Sequence, residues 1–198
     1  MKKSMLYISM LTLVLSISCK SDKKEVPTET KEIETETTVK EEPVVSADIK
    51  KVIMTLESKS ESSVTGKVVF TQDQGIVTMI AVLSGLTEGE HAIHIHEKAD
   101  CSSSDGKSSG GHWNPTAEPH GKWGNTTGFH KGDIGNFNAN ASGHGTITKI
   151  TDEWCIGCGD DTKDILGKAI IVHQGIDDFT SQPSGAAGSR VSCGGIIQ

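Results

Sequence analysis

Apolar residues alternate with polar ones, or run together over strand lengths, along most of the chain after residue 48. Turn residues such as Glu88-Gly89 and Ser142-Gly143 separate these runs. No segment keeps an apolar period of 3.6 residues over roughly ten positions, so helices are expected to be short or absent. The pattern predicts an all-β domain of short antiparallel strands, a sandwich or a barrel. The predicted strand runs are Ile49–Leu56, Val64–Thr71, Ile76–Leu83, His91–Glu97, Gly145–Ile150, Ala169–His173 and Arg190–Ile197.

Two long segments, Lys98–His130 and Gln174–Ser189, lack this alternation and are rich in Gly and Ser. Segments of that length without secondary structure are usually either functional or disordered. The first segment carries three histidines, and the second ends just before Arg190, the only arginine in the chain. We therefore predict two long functional loops.

The first 18 residues have the organisation of a signal peptide. Lys2 and Lys3 precede an apolar run, residues 5–17, that is too short for a comfortable membrane span. The segment SISC, which ends at Cys19, resembles a bacterial lipoprotein processing site. This resemblance implies lipidation of Cys19 and a lipid anchor in a membrane; an ordinary signal peptide cut nearby is the alternative. Either reading predicts an exported protein of the cell envelope or periplasm, where disulfides persist.

Residues 19–48 differ in composition from the rest of the chain. They are rich in Glu, Lys and Thr and contain no aromatic residue, so they cannot bury enough apolar surface to fold. We expect a disordered tether that leads to one folded domain, residues 49–198. The whole chain has 198 residues and a net charge of -7, which argues against nonspecific binding to nucleic acid.

The histidines carry the main chemical signal. His94 and His96 lie two positions apart in a predicted strand, so their side chains point to the same face. Imidazole is a good ligand for copper and zinc, and a carboxylate is acceptable to zinc. Grouping of so many such side chains around two loops predicts metal binding. The candidate ligands are His94, His96, His112, His120, His130, Asp133 and His173.

Five ordered motifs resemble those of the copper/zinc superoxide dismutase family. They read GLTEGEHAIHIHEKADC, GHWNP, HKGDIGN, IVHQGIDD and GAAGSRVSCGGII, and they cover the domain from about residue 49 to 198. The resemblance implies an eight-stranded Greek-key β-barrel or sandwich. It also implies that superoxide is converted to O2 and hydrogen peroxide by alternating reduction and oxidation of copper, with a zinc-supported bridging imidazolate.

The resemblance assigns a role to each candidate. Asp177 matches a carboxylate that links a copper-ligand histidine to a zinc-ligand histidine, and Arg190 matches the arginine that docks superoxide. His112 matches the bridging ligand that also moves a proton. The leftover His91 and His144 are expected to be hydrogen-bonded and solvated, respectively, and not ligands. The implied copper ligands are His94, His96, His112 and His173, and the implied zinc ligands are His112, His120, His130 and Asp133.

The cysteines of the folded domain fall into two pairs. Cys101 and Cys193 match the family's disulfide. Cys155 and Cys158, in the run WCIGC, depart from the family pattern. An exported location favours a second, local disulfide for this pair, and a redox or copper-loading dithiol is the alternative.

A different function stays open at this point: a membrane-tethered copper-storage or delivery protein with a dismutase-like fold. A homodimer also stays open, since dimer contacts are not readable from one sequence. Substrate steering is a further question, because Gln174–Ser189 contains no Lys or Arg. The lysines of the first loop that could replace such groups are Lys98, Lys107, Lys122 and Lys131.

Overall fold

Residues 49–198 are described by the computed structural model. The expected signal peptide of residues 1–18, the proposed lipidation at Cys19 and the tether of residues 19–48 lie outside the described residues. Within residues 49–198, no helix is long and apolar enough to cross a membrane. A single short 3-10 helix occupies Lys107–Ser109. The eight strands are β1 (Lys50–Ser58), β2 (Thr65–Asp73), β3 (Ile76–Ser84), β4 (Gly89–His96), β5 (Gly135–Ala139), β6 (Gly145–Thr151), β7 (Ala169–His173) and β8 (Arg190–Gly195).

The strands form one closed barrel in the order β1-β2-β3-β6-β5-β4-β7-β8. Every pairing is antiparallel, and β8 closes the barrel on β1, with Glu57 opposite Cys193. The connections from β3 to β4 and from β6 to β7 each cross over two strands, which is Greek-key topology. The predicted all-β, eight-stranded Greek-key barrel is confirmed.

All seven predicted runs become strands, and the alternation missed only β5. Its sequence, GNFNA, has one large apolar residue, Phe137, and no β-branched residue. The segment is a strand because it pairs with β4, with Phe137 opposite His91 and Asn136 opposite Ala92. Tertiary pairing, which a local pattern does not contain, decides its conformation.

The barrel interior is filled by the inward-facing residues of the strands. Phe70, Met79, Ile93 and Ile95 are fully buried there. Removing such a side chain from water contributes about 1.5–3 kcal/mol. Because neighbouring positions of a strand face opposite ways, Ile93 and Ile95 place His94 on the other face of β4.

Three long connections lie between strands: residues 97–134, 152–168 and 174–189. The first and third correspond to the two predicted functional loops. The second was not singled out by the sequence, yet Trp154, Cys155, Ile156 and Ile165 within it are buried. The loops cover the outer face of β4, since His94 and His96 are buried there as deeply as the core.

Candidate metal centre

Two neighbouring strands and one loop bring the first set of histidines together. His94 and His96 lie on β4, and His173 ends β7, which pairs with β4. His112 comes from the first long loop, where it forms an isolated β-bridge with His96. The ring centre of His94 lies 4.0 Å from that of His112 and 4.9 Å from that of His173. The ring centres of His96 and His173 are 5.7 Å apart.

The second set consists of His112, His120, His130 and Asp133, all from the first long loop. Its three imidazole rings lie 5.3 to 5.6 Å from one another. A tight turn carries His130 and Asp133, in which the Asp133 carboxylate accepts from the His130 N–H at 2.8 Å. The same carboxylate oxygen accepts from the Gly121 N–H at 3.1 Å, which ties the two arms of the loop together.

The two sets have the geometry of adjoining metal sites. In each set, one donor atom per residue lies within 4.8 Å of every other. His112 belongs to both sets. Its Nδ1 is 2.8 Å from Asp133 of the second set, which leaves Nε2 for the first.

The unpaired ring nitrogens provide a test of whether metals fit. Leaving a buried polar atom without a partner costs about 1–3 kcal/mol, so native proteins have few of them. Among residues 49–198, the buried side-chain atoms without a hydrogen bond are all imidazole nitrogens of these two sets. Such a concentration fits cations that take the free lone pairs. The atoms are His94 Nδ1, His96 Nε2, His112 Nε2, His120 Nδ1, His130 Nδ1 and His173 Nε2.

The opposite nitrogens of the first set are held by the protein. His96 Nδ1 donates to the Gly110 carbonyl at 3.0 Å, and His173 Nδ1 lies 3.4 Å from the Gly188 carbonyl. Such bonds fix which nitrogen carries the proton and direct the other nitrogen toward a metal. In the second set, the free nitrogens of His120 and His130 lie 3.0 and 3.2 Å from Asp133 oxygens. These contacts do not have the angles of hydrogen bonds.

Burial keeps three rings of the first set neutral. It lowers the pKa of His112 to about 4, and it lowers the pKa values of His96 and His173 well below the ordinary value. Only a neutral imidazole offers a lone pair to a metal. These rings are therefore in the protonation state that metal binding requires.

In the second set, the His120 ring faces two carboxylates, those of Asp133 and Asp177. Burial disfavours a charge on His120, but the hydrogen bond to Asp177 and the adjacent Asp133 carboxylate outweigh it and raise the His120 pKa to about 9. Burial would raise the pKa values of both carboxyl groups, but the facing histidines hold them well below the usual range. Two buried carboxylates thus favour positive charge at this point, which either a proton or a cation supplies.

Asp177 links the two sets through its two carboxylate oxygens. Oδ2 accepts from His94 Nε2 at 2.9 Å, and Oδ1 accepts from His120 Nε2 at 2.9 Å. Gly185 approaches this pair so closely that a Cβ atom would collide with the Asp177 carboxylate and the His120 ring. Gly185 also has a φ of +65°, which glycine adopts without strain.

Arg190 lies at the start of β8 beside the first set. With His96, His112 and His173 it lines a cavity of about 710 Å³. Its Nη1 donates to the Gly106 carbonyl at 2.9 Å and to Ser109 Oγ at 3.1 Å, which fixes the guanidinium. Burial lowers the pKa of Arg190, but the usual value lies so far above neutral pH that the guanidinium stays cationic.

Of the four lysines considered for steering, only Lys107 lines this cavity. It forms an ion pair of 3.0 Å with Asp105, which also lines the cavity. Lys131 is instead ion-paired with Glu153. The positive charge of the cavity therefore rests mainly on Arg190.

Both cysteine pairs of the domain are disulfides. Cys101–Cys193 joins the first long loop to β8 across 92 positions of sequence. Cys155–Cys158 closes a local loop in residues 152–168. For Cys155 and Cys158, the structure therefore agrees with the expected local disulfide and not with a free dithiol.

Two amide side chains support the site without having been predicted. Asn136 exchanges two bonds of 2.8 Å with the Asp177 backbone, and Gln182 exchanges two of 2.9 Å with the His120 backbone. Nothing in the local sequence distinguishes such an amide from a solvated one.

The two leftover histidines lie outside both sets. His91 is buried with both ring nitrogens near carbonyl oxygens of His173 and Thr87, while His144 is exposed.

Fold and site together define a β-barrel protein with two adjoining groups of His and Asp that could each hold a metal ion and that share His112. The family model of copper/zinc superoxide dismutase matches residues 64–196, more than half of the chain. The chain belongs to the copper/zinc superoxide dismutase family.

Individual relatives agree with this family. An extracellular copper-zinc superoxide dismutase of Caenorhabditis elegans is 33% identical over an alignment of 144 residues, and the match covers 70% of this chain. The chain spans 63% of the length of that relative. The structure of the clock protein EA4 is 31% identical with a TM-score of 0.64, covering 74% of this chain and 94% of its own. A double mutant of a SOD-like protein from Bacillus subtilis is 30% identical with a TM-score of 0.65, covering 74% and 97%.

Proposed function

We propose that this protein is a superoxide dismutase, an oxidoreductase that converts superoxide to O2 and hydrogen peroxide. The observation that carries the proposal is the set of unpartnered, buried imidazole nitrogens around His112. They adjoin a cavity that also contains the cationic Arg190. Membership of the copper/zinc superoxide dismutase family supports the same reaction.

The two sets of ligands suit different metals. Four imidazoles form a nitrogen field that copper accepts, and three imidazoles with one carboxylate form a closed site typical of structural zinc. Bound copper would supply the one-electron exchange with superoxide. The proposed copper ligands are His94, His96, His112 and His173, and the proposed zinc ligands are His112, His120, His130 and Asp133.

The protein's own groups bind the anion and move the proton. The Arg190 guanidinium, held by Gly106 and Ser109, attracts superoxide into the cavity. Attraction between unit charges about 4 Å apart is on the order of 4 kcal/mol at an effective dielectric constant of 20. Hydrogen peroxide requires two protons, and His112 Nε2 is the atom at which we place one of them, with water as the source of the other.

Location and anchoring form part of the proposal. Two disulfides favour an oxidising compartment, and the C. elegans relative is named as extracellular. We propose an exported domain, residues 49–198, held in the cell envelope or periplasm by a lipid on Cys19. The tether of residues 19–48 would separate this domain from the membrane.

A copper-storage or delivery protein is the second candidate, favoured by the group Cys155, Cys158 and Asp164. Donor atoms of these residues also lie within 4.8 Å of one another. The two sulfurs are joined in a disulfide, however, and the Asp164 carboxylate accepts from backbone N–H groups, including those of Gly157 and Gly159 at 3.0 Å. As long as its two sulfurs form this disulfide, the group is poorly suited to hold copper.

A turnover assay separates the two candidates. The purified domain is loaded with copper and zinc, its metal content is measured, and superoxide decay is followed after pulse radiolysis. We expect catalysis by the wild type and by His144→Gln, which changes an exposed histidine outside the centre, and its loss in His96→Gln. Full copper loading without decay above the buffer rate would exclude a dismutase and support storage.

A further inference from the structure

Trp154 connects the second long loop, residues 152–168, to the turn that carries His130 and Asp133. Its side chain is buried, with 1% of its surface exposed. The indole Nε1 donates a hydrogen bond of 2.9 Å to the carbonyl of Lys131. Lys131 is the residue directly after His130, so this bond reaches into the turn itself.

The other peptide groups of this turn are held from the opposite side. The Gly132 carbonyl accepts from the Ile95 N–H at 2.9 Å, and the Gly132 N–H donates to the Trp113 carbonyl at 3.0 Å. Strand β4 therefore fixes one side of the turn. Trp154 supplies the donor for the carbonyl of Lys131, the peptide next to His130.

Trp154 also packs against an aromatic pair that belongs to both arms of the first long loop. Trp123, three residues after His120, meets it edge-on at 5.4 Å between ring centres. Phe129, directly before His130, packs on Trp123 at 4.9 Å. A single indole thus supports, directly or through one neighbour, the chain next to His120 and the chain next to His130.

The barrel and the second loop fix Trp154 in turn. Its ring meets Phe70 of the core edge-on at 6.4 Å. The following residues are anchored, since the Cys155 N–H donates to the Lys163 carbonyl at 2.8 Å and the Ile156 N–H donates to Gln72 Oε1 at 2.7 Å. An indole anchored in this way can hold the neighbouring turn in place.

We infer that Trp154 is a positioning residue for the zinc half of the metal centre. By fixing the Lys131 carbonyl it sets the orientation of the His130–Asp133 turn, and with it the spacing of the zinc ligands. This inference rests on the proposed zinc binding. Outer contacts that orient metal ligands change metal affinity by about 10- to 100-fold when they are removed.

The test uses Trp154→Phe, which keeps an aromatic ring but removes the indole N–H. Zinc alone is the probe, and its dissociation constant is measured by chelator competition. We expect zinc affinity to fall by about tenfold, while copper affinity, measured separately, changes much less. The matched control is Leu83→Val, which weakens the core at the end of β3 that pairs with Gly145, while the other end of β3 pairs with Thr151 beside the second long loop. We expect this control to lose thermal stability and keep its zinc affinity.

Equal zinc affinity in Trp154→Phe and the wild type, or an equal loss in Leu83→Val, overturns the inference. If the wild type itself fails to bind zinc, the proposed function fails with it, so the two failures are distinguishable.

A second measurement, on the wild type, covers the case in which Trp154→Phe does not fold. Coupling is reciprocal, so zinc must strengthen the Trp154 bond as much as that bond strengthens zinc binding. We expect zinc to slow hydrogen exchange of the Trp154 indole N–H, and no change in its exchange overturns the inference.

Discussion

Replacing Asp177 by asparagine tests the link between the two halves of the centre. The wild-type carboxylate is fully buried and accepts hydrogen bonds of 2.9 Å from His94 Nε2 and His120 Nε2 and one of 2.7 Å from the Phe179 N–H. Asparagine has nearly the same shape, but its amide nitrogen donates and cannot accept. In Asp177→Asn one of the two rings therefore loses its acceptor and faces a second donor.

The size of the effect follows from two independent arguments. A buried donor left unpaired costs about 1–3 kcal/mol. Free energies of that size change an equilibrium constant by about 5- to 150-fold. Loss of a group that orients a metal ligand separately costs about 10- to 100-fold in affinity. Because His94 belongs to the proposed copper set and His120 to the proposed zinc set, we expect at least one metal to bind about 10- to 100-fold more weakly.

The assay is competition of each metal with a chelator, with circular dichroism to establish that the variant is folded. Asp178→Asn is the matched control, because Asp178 is exposed and its carboxylate bonds only locally, to Thr180 and Ser181. We expect that control to bind both metals like the wild type. If Asp177→Asn also keeps both affinities within about twofold, the orienting role of this carboxylate is wrong.

Three further expectations concern substrate binding and stability. Arg190→Ala should lower kcat/KM for superoxide by about 10- to 100-fold with unchanged copper content, since partial exposure of Arg190 reduces the Coulomb attraction of about 4 kcal/mol. Pulse radiolysis with metal analysis measures this, and unchanged turnover would remove Arg190 from the mechanism. The double variant Cys101→Ala/Cys193→Ala loses a bridge across 92 positions, so urea unfolding should show a free energy of unfolding lower by about 4–5 kcal/mol; a loss below about 1 kcal/mol would contradict the chain-entropy account. Burial raises the Asp164 pKa, but bonds from backbone N–H groups outweigh it and lower that pKa. The stabilisation is therefore present above the unfolded-state pKa of about 3.9 and lost as pH falls through the folded-state pKa. The stability difference between wild type and Asp164→Asn should shrink from about pH 5 downward, and a difference independent of pH would refute this.

The sequence predicted the parts of this molecule that depend on local periodicity. The strand runs alternate because one face of each strand packs into the barrel, and that alternation survives in the burial of β1 and β3. The spacing of His94 and His96 placed both rings on one face for the same reason. The ordered motifs then indicated which loop residues join them.

The remaining features depend on partners far away in the chain. β5 is a strand because β4 lies beside it. Gln182 contacts His120 across 62 positions, and Trp154 contacts Lys131 across 23. Neither residue carries a local signal that separates a supporting role from ordinary packing or solvation. Such contacts exist only once the barrel has placed its loops against one another.

The two halves of the centre differ in what holds them. His94, His96 and His173 lie on hydrogen-bonded strands whose neighbours, such as Ile93 and Ile170, are fully buried. His120 and His130 lie in a segment without strand pairing and depend on side-chain contacts from elsewhere in the fold. Local opening costs less free energy in segments held by few contacts. We therefore expect the proposed zinc half to open before the proposed copper half. Because His112 belongs to both sets, the proposed copper set would lose its shared ring when the loop opens.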